Sequence, residues 1–154
     1  MPDIPLDGFI DKARVDWVLS QLKKGDRVVI NSGGGNLVEA NRLAEFIRQN
    51  NIDTHVHSTG MAHSSAALVF AAGNKRTAGK NAQFMIHPAT KDGDISQPGI
   101  AYVQNRLIQL GVKGSPDFLQ AQKGDVVWDY TKAKEHNLVN ADMPRASMIL
   151  GPLE

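Results

Sequence analysis

Cysteine is absent from this chain of 154 residues, and other features are scarce. Without a thiol, disulfide frameworks, thiolate metal sites and cysteine catalysis are all excluded. Aromatic residues make up only 6% of the chain, and the longest uninterrupted apolar run, Ala66 to Ala72, is far too short to cross a bilayer. The sequence therefore predicts no transmembrane segment.

Charge of one sign is not in excess either, since the formal net charge is +1. The 17 lysines and arginines are scattered and no aromatic residues are interleaved with a basic patch, so no nucleic-acid surface is predicted. The N-terminal segment carries acids where a signal peptide needs a basic region. As written, the sequence predicts a cytoplasmic protein; if a leader or anchor had been trimmed, a periplasmic or membrane-associated location would stay open.

What is present is an alternation of strand-like and helix-like segments, with 42% hydrophobic residues. The length predicts a single domain over residues 1–154. In the first predicted helix, the spacing of the apolar residues predicts one buried face. That face contains Ile10, Ala13, Trp17, Val18 and Leu22. Strands separated by helices predict an α/β fold of βαβ units around a mostly parallel sheet. The predicted strands are Arg27 to Asn31, Thr54 to Ser58, Gln83 to His87 and Val126 to Trp128. The predicted helices are Ile10 to Leu22, one after the cap Asn36, one after Ser64, Ile100 to Leu110, one that starts at Ser115, and the short segment Thr131 to His136.

Three glycines follow the strand that ends at Asn31, in the motif Ile30 to Gly35 (INSGGG). They let backbone N–H groups come close to a ligand, which indicates an oxyanion or anion site. A tight strand-to-helix turn would explain them equally well. The motif lacks the endings of a P-loop or a dinucleotide-binding loop.

Ser64 stands in the motif Gly60-Met61-Ala62-His63-Ser64, between a strand-like run and an Ala-rich helix. A serine at such a turn can expose its hydroxyl beside the unpaired N–H groups of the helix, as a nucleophile does. It can also be a plain helix N-cap.

His87 ends the strand-like run Gln83 to Ile86 and is the candidate base for Ser64. A lone histidine after an apolar strand is more often structural. The rival histidines are His55, His57, His63 and His136. His55, His57 and His63 have no supporting carboxylate, so no metal site and no cofactor are predicted.

Taken together, the order and spacing of these motifs resemble the Clp protease proteolytic subunit (ClpP) family of the ClpP/crotonase superfamily. The family's INSPGG motif matches Ile30 to Gly35 with Gly33 in place of proline, its G-x-A-x-S motif matches Gly60 to Ser64, and its MIH motif matches Met85 to His87. The resemblance covers roughly Ile4 to Ala141. It implies a ClpP/crotonase-like fold of repeated β-β-α and βαβ units.

By this resemblance, Ser64 is the nucleophile, His87 is the general base, and the backbone N–H groups of Gly35 and Ser65 form the oxyanion hole. The third triad position aligns near Ala121, between Asp117 and Asp125. Asp117 is preferred slightly, because Asp125 matches a different aspartate of the family, and an incomplete triad stays open. The implied activity is that of a serine peptidase that cleaves peptides or unfolded protein segments.

The resemblance also implies a homo-oligomer. The chain lacks the N-terminal axial loops of the family, and its segment after His87 is compressed. Both departures argue against docking of an unfolding ATPase and against a double-ring chamber, and favour a smaller oligomer.

Three other functions stay open at this point. A Ser–Lys peptidase of the same superfamily would use Lys91, Lys80 or Lys75, but it has no need of the MIH motif. A crotonase-like acyl-CoA enzyme would not need Ser64 and is usually longer. A non-catalytic scaffold is suggested by the missing triad aspartate.

Overall fold

The computed structural model describes residues 2–86, 90–113 and 126–143 of the chain. A parallel sheet forms its centre, with four strands in the spatial order β1-β2-β3-β5. Val, Ile and Thr residues in these strands favour the extended backbone, and their buried side chains suit a sheet covered on its faces. The strands are β1 (Asp3–Asp7), β2 (Arg27–Asn31), β3 (Asp53–Val56) and β5 (Arg76–Ala78).

A second sheet of three strands adjoins the first and carries the candidate site. It contains β4 (Met61–His63), β6 (Gln83–Ile86) and β9 (Val126–Trp128), in the order β4-β6-β9. β4 runs parallel to β6, whereas β9 runs antiparallel to β6. An isolated bridge between Ser32 and Ala62 joins the end of β2 to β4. A small antiparallel hairpin is formed by β7 (Thr90–Lys91) and β8 (Asp94–Ile95).

The helices begin at recognisable caps. Asp11, Asn36, Ser96 and Asp129 each accept a hydrogen bond from the backbone N–H three residues later, which satisfies a donor that the first turn leaves free. The helices are α1 (Lys12–Gln21), α2 (Leu37–Gln49), α3 (Ser65–Ala71), α4 (Gln97–Gln109) and α5 (Tyr130–Glu135). Helix α3 is buried along its whole length and packs against α2, so it lies at the centre of the hydrophobic core.

The α/β fold with a mostly parallel sheet is confirmed, and the predicted strands and helices within the described residues are present. Strands β4 and β5 were not predicted, and β1 was expected only through the family resemblance, in which Leu6 and Asp7 match the family's first strand. The polar segment after residue 89 contains the β7–β8 hairpin. The helix start predicted at Ser115 lies outside the described residues.

The buried face of α1 was predicted only in part. Val18 and Leu22 are buried as expected, but Ala13 is exposed and 47% of Trp17 is exposed. Val15 is the buried residue that takes their place. Successive residues on a helix point about 100° apart, so Trp17 and Val18 cannot both centre on the core. The Val15–Val18–Leu22 face is the one that the fold buries.

No helix within the described ranges is both long enough and apolar enough to cross a membrane.

Candidate active site

Ser64 occupies a sharp turn between a strand and a helix. Strand β4 ends one residue before it, and α3 begins one residue after it. Its backbone has φ 58° and ψ −129°, a region that residues with a side chain adopt only at a cost of about 1–3 kcal/mol. The Ser64 N–H donates to the Met85 carbonyl of the neighbouring strand at 2.6 Å, which fixes the turn. A strained serine between a strand and a buried helix is the geometry of a nucleophile elbow.

The Ser64 side chain does not cap the helix. Its hydroxyl makes no hydrogen bond to the N–H groups of the first turn of α3, although Ser64 stands at the N-cap position. The residue is half-buried and lines a surface cleft. The plain N-cap role considered for this serine therefore does not account for its position.

The ends of β4 and β6 lie side by side, because these parallel strands pair His63 with Met85. Ser64 follows β4 and His87 follows the last residue of β6, Ile86. His87 itself lies outside the described residues, as do Asp117 and Asp125. The structure thus describes Ser64 and the strand that leads to His87, but not the predicted base or the predicted third residue.

The glycine motif wraps closely around Ser64. After β2, the chain is held to β4 by the Ser32 N–H, which donates to the Met61 carbonyl, and by the His63 N–H, which donates to the Ser32 carbonyl, both at 3.0 Å. Gly34 has φ +98°, and a Cβ there would lie 2.8 Å from both the His63 oxygen and the Ser64 Cβ. Only glycine fits between these atoms, so glycine is required at position 34 for the close approach to Ser64.

The two predicted oxyanion donors differ in their present partners. Ser65 is the first residue of α3, so its N–H has no acceptor within the helix. The Gly35 N–H instead donates to the Ser65 hydroxyl at 3.0 Å. The neighbouring Gly34 N–H donates to the Ser32 hydroxyl, also at 3.0 Å. The Gly35 donor would reach a substrate oxygen only after the Ser65 hydroxyl moves away. Sequence alone gave no sign of this contact.

A cleft of about 430 Å³ opens beside Ser64. Backbone dominates its walls, because four of the lining residues are glycines. Phe9 was not identified from the sequence as a site residue, but its ring lies at this cleft and is 66% exposed. The residues that line the cleft are Gly8, Phe9, Gly33, Gly34, Gly35 and Ser64.

Three of the rival histidines are engaged elsewhere. His55 is fully buried, and its Nδ1 lies 2.6 Å from the Thr77 hydroxyl. His136 stacks on Trp128 with 4.5 Å between ring centres. His57 packs edge-on against His55. Within the described residues, no three His, Asp or Glu side chains are grouped so that they could hold a metal ion.

A comparison with family models matches residues 17–113 to the Clp protease family. The match covers well over half of the chain and includes the glycine motif, Ser64, the MIH motif and helix α4. A comparison with curated proteins gives no match. The family match agrees with the parallel sheet and the serine turn described above, and the chain belongs to the Clp protease family.

Proposed function

We propose that this protein is a serine peptidase in which Ser64 is the nucleophile. The observation that carries the proposal is the backbone of Ser64, which is held in a strained conformation by its neighbours while its side chain is left free of a capping role. Strain of this kind persists only where the surrounding structure imposes it, and it clusters at functional sites. A scaffold would gain nothing from it.

In the proposed reaction, His87 removes the proton from the Ser64 hydroxyl as its oxygen attacks the scissile carbonyl. The tetrahedral intermediate collapses when His87 donates that proton to the leaving amine. In the second half of the reaction, His87 takes a proton from a water molecule that attacks the acyl-enzyme, and returns it to the Ser64 oxygen as the ester bond breaks. Asp117 would orient the imidazole. The pairing of β4 with β6 supports His87 as the base, because it brings the ends of the two strands together.

The backbone N–H groups of Gly35 and Ser65 are the proposed oxyanion donors. When the Ser65 hydroxyl moves away, it gives up the hydrogen bond that it accepts from the Gly35 N–H and the longer one that it donates to the Gly35 carbonyl, a net loss of about 1–2 kcal/mol. A donor to the oxyanion contributes about 3 kcal/mol in the transition state. Replacing the Ser65 hydroxyl by the substrate oxygen as the partner of the Gly35 N–H is therefore favourable once that oxygen carries the negative charge. It is much less favourable while the oxygen belongs to the neutral carbonyl of the ground state.

Peptides or unfolded protein segments are the proposed substrates, and a homo-oligomer that works without an ATPase is the proposed assembly. The cleft is open and largely walled by backbone, which suits an extended chain. The MIH motif, Met85 to His87, favours histidine over the Ser–Lys alternative, which has no need of it.

Labelling with a fluorophosphonate probe tests the proposal. The wild type and Ser65→Ala should each take up one adduct at Ser64, located by intact mass and peptide mapping, and Ser64→Ala should take up none. Ser64→Ala should keep the thermal midpoint of the wild type or raise it slightly. A folded wild-type protein that takes no adduct, or an adduct that persists in Ser64→Ala, would contradict the assignment and favour a non-catalytic scaffold.

A further inference from the structure

The Ser65 side chain occupies the position that a substrate oxygen would need beside the backbone of Gly35. Its hydroxyl accepts from the Gly35 N–H at 3.0 Å and donates to the Gly35 carbonyl at 3.4 Å. Ser65 is only 6% exposed, so little water competes for this contact. The nucleophile is close by, because a Cβ at Gly34 would lie 3.2 Å from the Ser64 hydroxyl oxygen. A side chain of the same chain thus engages a donor that lies next to the nucleophile.

The backbone on the other side of Gly35 is held in place by Ile10. The Gly34 carbonyl, which belongs to the same peptide group as the Gly35 N–H, accepts from the Ile10 N–H at 3.0 Å. The next peptide group is held as well, because the Asn36 N–H donates to the Ile10 carbonyl at 2.9 Å. The peptide between Gly34 and Gly35 therefore cannot turn without breaking contacts with Ile10. Rotation of the Ser65 side chain by about 120°, to another staggered position, frees the Gly35 N–H and leaves these contacts intact.

We infer that Ser65 is a positioning residue whose hydroxyl holds the Gly35 donor closed in the resting enzyme and thereby slows the attack of Ser64. The inference rests on the proposed function for the reaction that is slowed. Because the hydroxyl must leave the Gly35 N–H before a substrate oxygen can take its place, the loss of this contact adds to the barrier of acylation. Ser65→Ala removes that loss, and it keeps the backbone N–H at position 65, which is the other proposed donor.

The rate of fluorophosphonate labelling measures this effect. The Ser64 oxygen attacks phosphorus, its proton passes to His87 and fluoride leaves, while the phosphonyl oxygen gains negative charge and needs the oxyanion donors. Ser65→Ala should raise the limiting rate constant of labelling about five- to thirtyfold and leave the probe concentration at half-maximal rate nearly unchanged. Ser58→Ala is the matched control, because Ser58 is also a buried serine that accepts from a backbone N–H, that of Asn81 at 3.3 Å. It should label at the rate of the wild type.

Amide hydrogen exchange tests the contact without any chemistry. With glycine-selective isotope labelling, the Gly35 amide should exchange about tenfold faster in Ser65→Ala than in the wild type, because it has lost its acceptor. The Gly34 amide is an internal reference, since it donates to the Ser32 hydroxyl at 3.0 Å and should keep its exchange rate in the same variant.

The outcomes separate the inference from the proposed function. Equal labelling rates in the wild type and Ser65→Ala would overturn the inference and keep Ser64 as the nucleophile. Slower labelling of Ser65→Ala would show that the hydroxyl assists the reaction, and unchanged exchange at Gly35 would show that it does not hold the donor; either result overturns the inference. Uptake of no adduct by any of the proteins would reject the proposed function, and with it the reaction that Ser65 is inferred to slow.

Discussion

Three glycines differ in what they require of the backbone: Gly33 and Gly34 line the cleft beside Ser64, and Gly25 lies in the turn before β2. Gly34 combines φ +98° with contacts that leave no room for a Cβ beside Ser64. Gly25 has a similar φ of +91° but nothing within 4 Å of its missing Cβ. Gly33 has neither constraint. The three positions therefore separate the cost of a left-handed backbone from the cost of a steric clash.

Alanine substitutions at these glycines should destabilise the protein in a fixed order. Gly33→Ala should be neutral or stabilise by up to about 1 kcal/mol, because it restricts the unfolded chain. Gly25→Ala should cost about 1–2 kcal/mol for the backbone alone. Gly34→Ala adds a backbone clash and should cost at least about 3 kcal/mol. Urea unfolding gives the three free energies, and a Gly34→Ala loss no larger than that of Gly25→Ala would contradict the close approach to Ser64.

The elements that the sequence predicted well are those with their own local signals. Helix α2 begins after the capping Asn36, and its apolar residues recur at a helical spacing, with Ala40, Leu43, Ala44 and Ile47 buried in the structure. Strand β4 has only three residues between Gly60 and Ser64, too few to show an alternation. It exists because β6 pairs with it and Ser32 bridges to it, contacts that no local pattern encodes. The hydrogen bond from the Gly35 N–H to the Ser65 hydroxyl was not predicted for the same reason, because it joins residues 30 positions apart in the chain.

Pairing of β1 with β2 includes an ion pair that should make stability depend on pH. The Arg27 guanidinium donates to both Asp3 carboxylate oxygens at 2.9 Å, and β1 and β2 place these two residues opposite each other. This hydrogen bonding lowers the pKa of Asp3 below its ordinary value of 3.8, partly opposed by desolvation. A carboxyl whose pKa is lowered on folding stabilises the fold above its unfolded pKa, and that contribution is lost as the pH falls through the folded pKa.

Asp3→Asn should therefore lower the urea midpoint at pH 7, and the difference from the wild type should shrink as the pH falls below 3.8. In an Arg27→Met background the same substitution should have almost no pH-dependent effect, because the partner is gone. A difference that does not shrink as the pH falls below 3.8, or one that survives in the Arg27→Met background, would show that Asp3 acts through other contacts.

At the scale of the whole molecule, a buried arginine ties the last described segment to the central sheet. Arg76 opens β5 and is only 5% exposed. Its guanidinium donates to the carbonyls of Gly73, Asn137 and Leu138 at 2.7–3.0 Å. Its backbone N–H also donates to the Asn140 side chain at 2.6 Å. These bonds join the end of α3, and hence the helix that follows Ser64, to residues about 60 positions further along the chain.

Burial lowers the pKa of Arg76 to about 10, so the side chain still carries its charge at neutral pH. A buried cation is costly unless its donors are satisfied, and here three carbonyls accept, one from each of the three guanidinium nitrogens. Arg76→Met should therefore lower the free energy of unfolding by about 3 kcal/mol or more, because those carbonyls lose their donors in the interior. Arg76→Lys should recover little, since one ammonium group lacks the planar fork that reaches three acceptors.

Arg48→Met is the matched control for this prediction. Arg48 lines the same surface depression as Arg76 but is about half exposed and pairs with Glu45 at 3.0 Å on one face of α2. An exposed pair of this kind contributes less than about 1 kcal/mol. Denaturant unfolding of both variants, followed by tryptophan fluorescence, reads out the difference, because Trp128 is buried beside α5. Equal losses in the two variants would mean that Arg76 contributes no more than a surface charge and that packing alone holds the C-terminal segment to β5.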